Sequence, residues 1–343
     1  MTDRQTDRGI QLLRIIACIA VFICHFGQRL QLNTISNALY ELTQLGKYGV
    51  ELFFVISGYL ACLSFCREKS VIRFYKKRII RILPLYYFCI LYYFVTETFI
   101  FKNIPADPIH LGWLRYIFCL NGVVPPEGYF WSNIGITWTI PVFMMFFLLA
   151  PWIIKIAKST LISLLMTLFA FGVACIVISK LNGWFSSFIY LPCFLLGILV
   201  YNAKKENARL YIAVGLQLFV IAMKYCNWSE YFPSISQKID IWIISAIFAT
   251  IILVSDELKI QHSKIIRCIN FLDEHSYPLY LIHGLTFCGI IDKLTADLFN
   301  NHIIEVVLKV AIAIVGTGVL TVVLHRYIEK PTQKLLNKIL LKQ

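Results

Sequence analysis

Apolar runs long enough to cross a bilayer recur from one end of this 343-residue chain to the other. A helix rises about 1.5 Å per residue, so roughly 20 apolar residues traverse a hydrocarbon core of about 30 Å. Inside lipid every backbone N–H and C=O must bond internally, which leaves only helices and closed barrels. The runs here are unbroken stretches of Leu, Ile, Phe and Val rather than short alternating segments, and they predict helices. About ten spans are expected, near 10–28, 45–66, 82–101, 134–154, 160–178, 187–202, 210–226, 239–254, 276–292 and 303–327. The expected fold is therefore an all-α, polytopic transmembrane helix bundle forming one domain over 1–343. The hydrophobic fraction of 59% agrees. The first run lacks a small-residue cleavage site and reads as a retained span, not a signal peptide.

The net charge of +13 could suggest nucleic acid, but its distribution argues against that partner. With the N-terminus inside, the inner segments hold Arg67, Lys69, Arg73, Lys76, Lys77, Arg78 and Arg81, then Lys155 and Lys158, Lys204, Lys205 and Arg209. Lys259, Lys264, Arg267, Lys330, Lys334, Lys338 and Lys342 complete that set. The outer loops hold only Arg29, Lys47, Lys102, Arg115, Lys180, Lys238 and Lys293. This positive-inside bias places both termini in the cytoplasm and makes membrane lipids the surroundings. The eleven cysteines are odd in number, mostly within apolar runs, and form no CxxC pair, so they read as small buried hydrophobes.

Charge is expensive inside a span, and the first span carries Arg14 and His25. Eleven helical steps make about 1100°, three turns plus roughly 20°, so both side chains share a face about 16 Å apart. Asp7, Gln11 and Cys18 lie on the same stripe, and Arg29 extends it outward. A neutral imidazole can take a proton from a hydroxyl. Taken alone, His25 fits a histidine bonded to a neighbouring carbonyl. Arg14 alters that reading, because a buried arginine needs an anion; Asp7 or a phosphate-bearing ligand would serve.

The other polar features are individually ambiguous. Arg73 and Lys77, and Arg78 and Arg81, group on one helix and suit phosphate oxygens, or simply anionic lipid heads. Glu51 and Ser57 interrupt an apolar span between Gly49 and Gly58, for helix packing or to line a ligand site. His283 is a second histidine within a span, open to packing or function. The segment 102–133 holds Trp113, Tyr129 and Trp131, which read as an interfacial anchor or as a platform for a sugar ring. No HxxxH or paired Cys/His spacing points to a metal. No nucleophile elbow or phosphate-binding glycine loop occurs.

Taken in order, several segments resemble the acyltransferase-3 family of integral-membrane acyltransferases. They are the Arg14-x10-His25 pair, GVELFFVISGYL at 49–60, RFYKKRIIRILPLYY at 73–87, TWTIPV at 137–142, LPCFLLGIL at 191–199, SYPLYLIH at 276–283 and YIEKP at 327–331. The resemblance covers nearly the whole chain. It implies transfer of an acyl group, often acetyl, from cytoplasmic acyl-CoA (acetyl-CoA) to a hydroxyl of a cell-envelope glycan or lipid-linked sugar. It implies a multi-pass protein of the bacterial inner membrane, with no metal. The chain ends soon after its last span, which fits a stand-alone form without an SGNH domain.

The same resemblance implies that His25 is the catalytic base and Arg14 its partner, with Arg73, Arg78 and Arg81 holding the donor. Ser57, Tyr59 and Trp138 are candidates to stabilise the oxyanion, and Glu51 and His283 to line the substrate site. A direct attack and an acyl-histidine intermediate both remain open. One departure stands out: relatives usually carry a glutamate soon after the Trp motif, where this chain has Phe143, and Glu51 or Glu127 would have to substitute. Two rival readings follow, a proton-coupled transporter and a catalytically degenerate relative.

Overall fold

The computed structural model describes residues 8–30, 33, 36–100, 102, 114–120, 123, 132–181, 183–226, 233–236, 238–254, 262–285 and 302–341. Among them there is no strand, and the long elements are helices. They are α1 (Arg8–Arg29), α2 (Asn37–Gln44), α3 (Gly49–Glu68), α4 (Val71–Val95), α5 (Thr139–Ile156) and α6 (Thr160–Lys180). Then come α7 (Leu191–Lys205), α8 (Arg209–Tyr225), α9 (Ile239–Val254), α10 (Ser263–Leu285), α11 (His302–Leu324) and α12 (Lys330–Leu340).

Among the described residues, seven stretches are both long and apolar enough to cross a membrane: Arg8–Arg29, Asn37–Glu68, Val71–Val95, Gly135–Ile156, Thr160–Lys180, Ser186–Lys205 and Val307–Leu340. The other expected spans are helical over their described residues. The runs 210–226 and 239–254 fall on α8 and α9, of 17 and 16 residues. The run 276–292 begins on α10, and its end lies outside the described residues. So does most of 102–133, including Trp113, Tyr129, Trp131 and Glu127.

The helices start where the sequence supplies caps. Ser70 and Ser159 accept from the backbone N–H of Arg73 and Ile162 at the starts of α4 and α6. The backbone N–H of Thr160 donates to Glu206 at 3.0 Å. That hydrogen bond holds the exposed Glu206 carboxyl below the usual carboxylate range.

Lipid tails are as apolar as leucine, so burial of apolar surface alone does not drive helices together in a membrane; tight packing and polar contacts do. α3 and α7 form the most closely packed pair. A Cβ on Gly58 would collide with the Phe194 carbonyl, and one on Gly197 with the Val55 carbonyl. The two glycines let the backbones meet. Around this crossing lies an aromatic core. Phe146 stacks on Phe194 with centroids 4.0 Å apart, and Phe54 sits 4.8 Å from Phe194 and 5.0 Å from Phe143. The outer helices instead expose Phe169, Leu218 and Val315, apolar side chains fit to face lipid.

Gly58→Val should force α3 and α7 apart and destabilise the protein by about 2 kcal/mol or more, lowering its melting temperature in detergent. Gly172→Ala, where an added Cβ meets nothing within 4 Å, should leave that temperature unchanged or raise it.

Candidate active site

The polar stripe of α1 is buried against a matching stripe on α10. Arg8 donates to Gln11 at 2.7 Å and to Asn270 at 2.8 Å. Arg14 Nη1 lies 3.3 Å from Asp273 Oδ1, and Gln11 Nε2 lies 3.4 Å from Asp273 Oδ2. Further along, the Cys18 thiol donates to the Ser276 carbonyl at 3.1 Å. Asp273, absent from the sequence reading, is thus a counter-charge to Arg14; Asp7 lies outside the described residues. A signal for it existed. Asp273, Ser276, Tyr280 and His283 recur at three- and four-residue steps, the same periodicity that picked out Arg14 and His25.

Beside this seam a cavity of about 390 Å³ opens between α1, α3, α4, α5 and α10. Arg14, Ser57, Ser64, Lys77, Arg78 and Arg81 give it a cationic, hydrogen-bonding wall. Phe53, Ile56, Ile140, Phe143, Phe147 and Tyr280 make the remainder largely apolar. The cations are not equivalent. Lys77 forms a short ion pair with Glu68, and Arg81 lies 3.6 Å from Glu329. Arg78 is held by stacking instead, its guanidinium 4.9 Å from the Phe74 ring centre and 4.8 Å from that of Phe147. Among the described residues Arg78 has no carboxylate partner, and its Nε donates to nothing. It is a cation on a cavity wall with capacity for an anion.

His25 stands apart from this cavity, about 16 Å along α1 from Arg14. Its Nδ1 is 3.2 Å from Gln28 Oε1. The Gln28 amide nitrogen is committed to Gln44 Oε1 at 2.7 Å, so its oxygen faces the imidazole and accepts from Nδ1–H. Nε2 is then the basic nitrogen. The His283 ring lies 5.2 Å from the His25 ring, and Tyr280, on the cavity wall, lies 5.8 Å from His283. Tyr280 donates to Thr139 at 3.0 Å.

The structure groups Arg14, Ser57, Arg78 and Arg81 on one cavity and His25 with His283 beyond it. It does not bring the other candidates there. Arg73 points to Glu68, at 3.4 Å, and is not part of the wall. Tyr59 packs on Tyr201 and beneath Lys204. Trp138 packs against Phe54 and Tyr190. Glu51 is buried and does not line the cavity, and its Oε2 has no hydrogen-bond partner among the described residues. Phe143 does line the cavity, as the edge of the aromatic core. Lys77, grouped with Arg73 in the sequence, does reach the wall; Ser64, Tyr277 and Tyr280 were not singled out from sequence, because nothing in their spacing reveals a shared wall.

A bundle of apolar helices, several of them long enough to cross a membrane, encloses a cationic cavity near a histidine pair, the architecture of a multi-pass membrane protein. The acyltransferase-domain family matches residues 7–326, and the chain belongs to this acyltransferase-3 family. Its reaction class is therefore acyl transfer. ORF330 of Acidianus two-tailed virus, named as an acetyltransferase, is 24% identical over 297 residues, covering 82% of this chain and 84% of its own. Acyltransferase MdmB of Streptomyces mycarofaciens is 36% identical over 76 residues, 22% of this chain and 20% of its own. No solved structure matches.

Asp273→Ala would strand Arg14 without this counter-charge. Both side chains are mostly buried, so a loss of about 2–3 kcal/mol is expected, read as a lower melting temperature in detergent. The pair Arg14→Met with Asp273→Leu should recover most of it. An Asp273→Ala protein as stable as the wild type would show the pair to be inert.

Proposed function

We propose that this protein transfers an acyl group, most simply acetyl, from cytoplasmic acyl-CoA to a hydroxyl of an envelope carbohydrate or lipid-linked glycan. On this reading it sits in the bacterial cytoplasmic membrane with both termini cytoplasmic. The observation that carries the proposal is Arg78, a stacked arginine on the cavity wall with no carboxylate partner among the described residues. It is suited to a donor phosphate, with Lys77 and Arg81 nearby and the apolar remainder taking the pantetheine arm and acyl group.

The chemistry then falls to the far end of the same seam. His25 Nε2 takes the proton of the acceptor hydroxyl as its oxygen attacks the thioester carbonyl. The C–S bond breaks, and the proton held by the imidazolium passes to the departing thiolate. The Gln28 contact sets the required tautomer, with Nδ1 protonated and Nε2 basic. Ser57, on the wall, offers a hydroxyl to the carbonyl oxygen as it gains charge, whereas the Tyr280 hydroxyl is already donated to Thr139.

Two variants separate binding from chemistry. Arg78→Ala should raise the KM for acetyl-CoA about tenfold, the size expected for one charge-assisted contact, with a smaller change in kcat. His25→Ala should abolish transfer of labelled acetyl from acetyl-CoA to envelope material while the protein still inserts. Near-normal transfer by His25→Ala would refute its role as base, and uptake of an unmodified solute without label transfer would favour transport. Phe143 on the wall supports a second reading, a weakened enzyme. A large gain of activity in Phe143→Glu would support it.

A further inference from the structure

A second polar cluster forms where α10 meets the turn joining α11 to α12. Residues His325–Glu329 form a π-type turn, an arrangement frequent at functional sites. His325 Nδ1 lies 2.6 Å from Glu329 Oε2, and His325 Nε2 lies 3.3 Å from Glu274 Oε1. His275 packs on His325 with ring centres 4.3 Å apart, and its Nδ1 lies 2.7 Å from the Phe271 carbonyl. One potential ligand atom from each of Glu274, His275 and His325 falls within 4.8 Å of the others. Acyl transfer as proposed makes no use of these residues.

The hydrogen bonds fix both imidazoles. A carbonyl oxygen only accepts, so His275 Nδ1 carries a proton and Nε2 carries the lone pair. The Glu329 carboxylate accepts from His325 Nδ1 in the same way. His325 Nε2 is buried and has no hydrogen-bond partner among the described residues, although Glu274 Oε1 is 3.3 Å away. With Nε2 unprotonated, two electron-pair donors face each other, an arrangement that a positive charge between them, a proton or a metal ion, would stabilise. In a tetrahedral zinc site with bonds of about 2.0–2.1 Å, neighbouring ligand atoms lie about 3.3–3.4 Å apart; His325 Nε2 and Glu274 Oε1 are 3.3 Å apart, and the His275 ligand atom lies within 4.8 Å of both. A histidine whose other N–H is held by a carboxylate or backbone carbonyl is also the usual second shell of a metal ligand.

We propose that Glu274, His275 and His325 form a binding site for a divalent transition metal, suited to Zn2+, with a fourth position open to water. Lys330, on an exposed side chain 2.9 Å from Glu274, can swing to solvent as the metal takes over the carboxylate's charge. The metal would pin α10 to the turn before α12. Glu329, which supports His325, also faces Arg81, so the site adjoins the cavity wall.

The test is metal binding by the full-length protein in detergent, stripped with chelator and titrated with Co2+ as a spectroscopic stand-in. One equivalent should bind with the visible absorption of a tetrahedral site and be displaced by Zn2+. His275→Ala and Glu274→Gln should each weaken Co2+ at least tenfold, in proteins whose elution profile and melting temperature report intact folding. Absence of saturable Co2+ binding by the wild type below about 1 mM would overturn the proposal. So would Co2+ binding left unchanged in both variants.

Discussion

The Arg14–Asp273 pair is the contact on which the rest of the arrangement depends. A guanidinium within a membrane helix must find a counter-charge or reach water, and here Asp273 lies 3.3 Å away on α10. Arg8, Gln11 and Cys18 extend the same seam with hydrogen bonds to Asn270, Asp273 and the Ser276 carbonyl. Because polar contacts and close packing drive association in lipid, this seam sets the register of α1 against α10. That register fixes what lies further along the two helices: His25 against His283, and Tyr280 at the end of the cavity.

The cavity divides its work between charge and packing. Glu68 and Glu329 offset Lys77 and Arg81, while Arg78 is oriented by two aromatic rings rather than by an anion. Stacking positions a guanidinium without neutralising it. Part of the apolar lining belongs to the aromatic core around the Gly58–Gly197 crossing, and Phe147 of that lining carries the Arg78 guanidinium. Phe143 joins that core through Phe54 and Phe194. A glutamate there would place a carboxylate at the border between apolar core and cationic wall.

The helical class of the fold was legible because lipid leaves a chain few options, and uninterrupted Leu, Ile, Phe and Val runs mark helices. The shared face of Arg14 and His25 followed from helical periodicity, as did the grouping of Arg78 with Arg81. Asp273 escaped notice because it precedes the apolar run of its helix and looks like a boundary residue. Its partnership with Arg14 is a tertiary fact. The same holds for His275 and His325, which come together only because α10 packs on the turn after α11. Arg73 shows the converse. It shares a helix with Arg78, yet helical rotation turns it toward Glu68 and away from the cavity.

The most direct test of the account is a structure of the protein by cryo-electron microscopy with a non-hydrolysable acetyl-CoA analogue. The account places the donor's phosphates against Arg78 and its thioester carbon near Tyr280, on the path from Arg14 to His283. Density for the analogue outside this cavity, or with its phosphates away from Arg78, would contradict it.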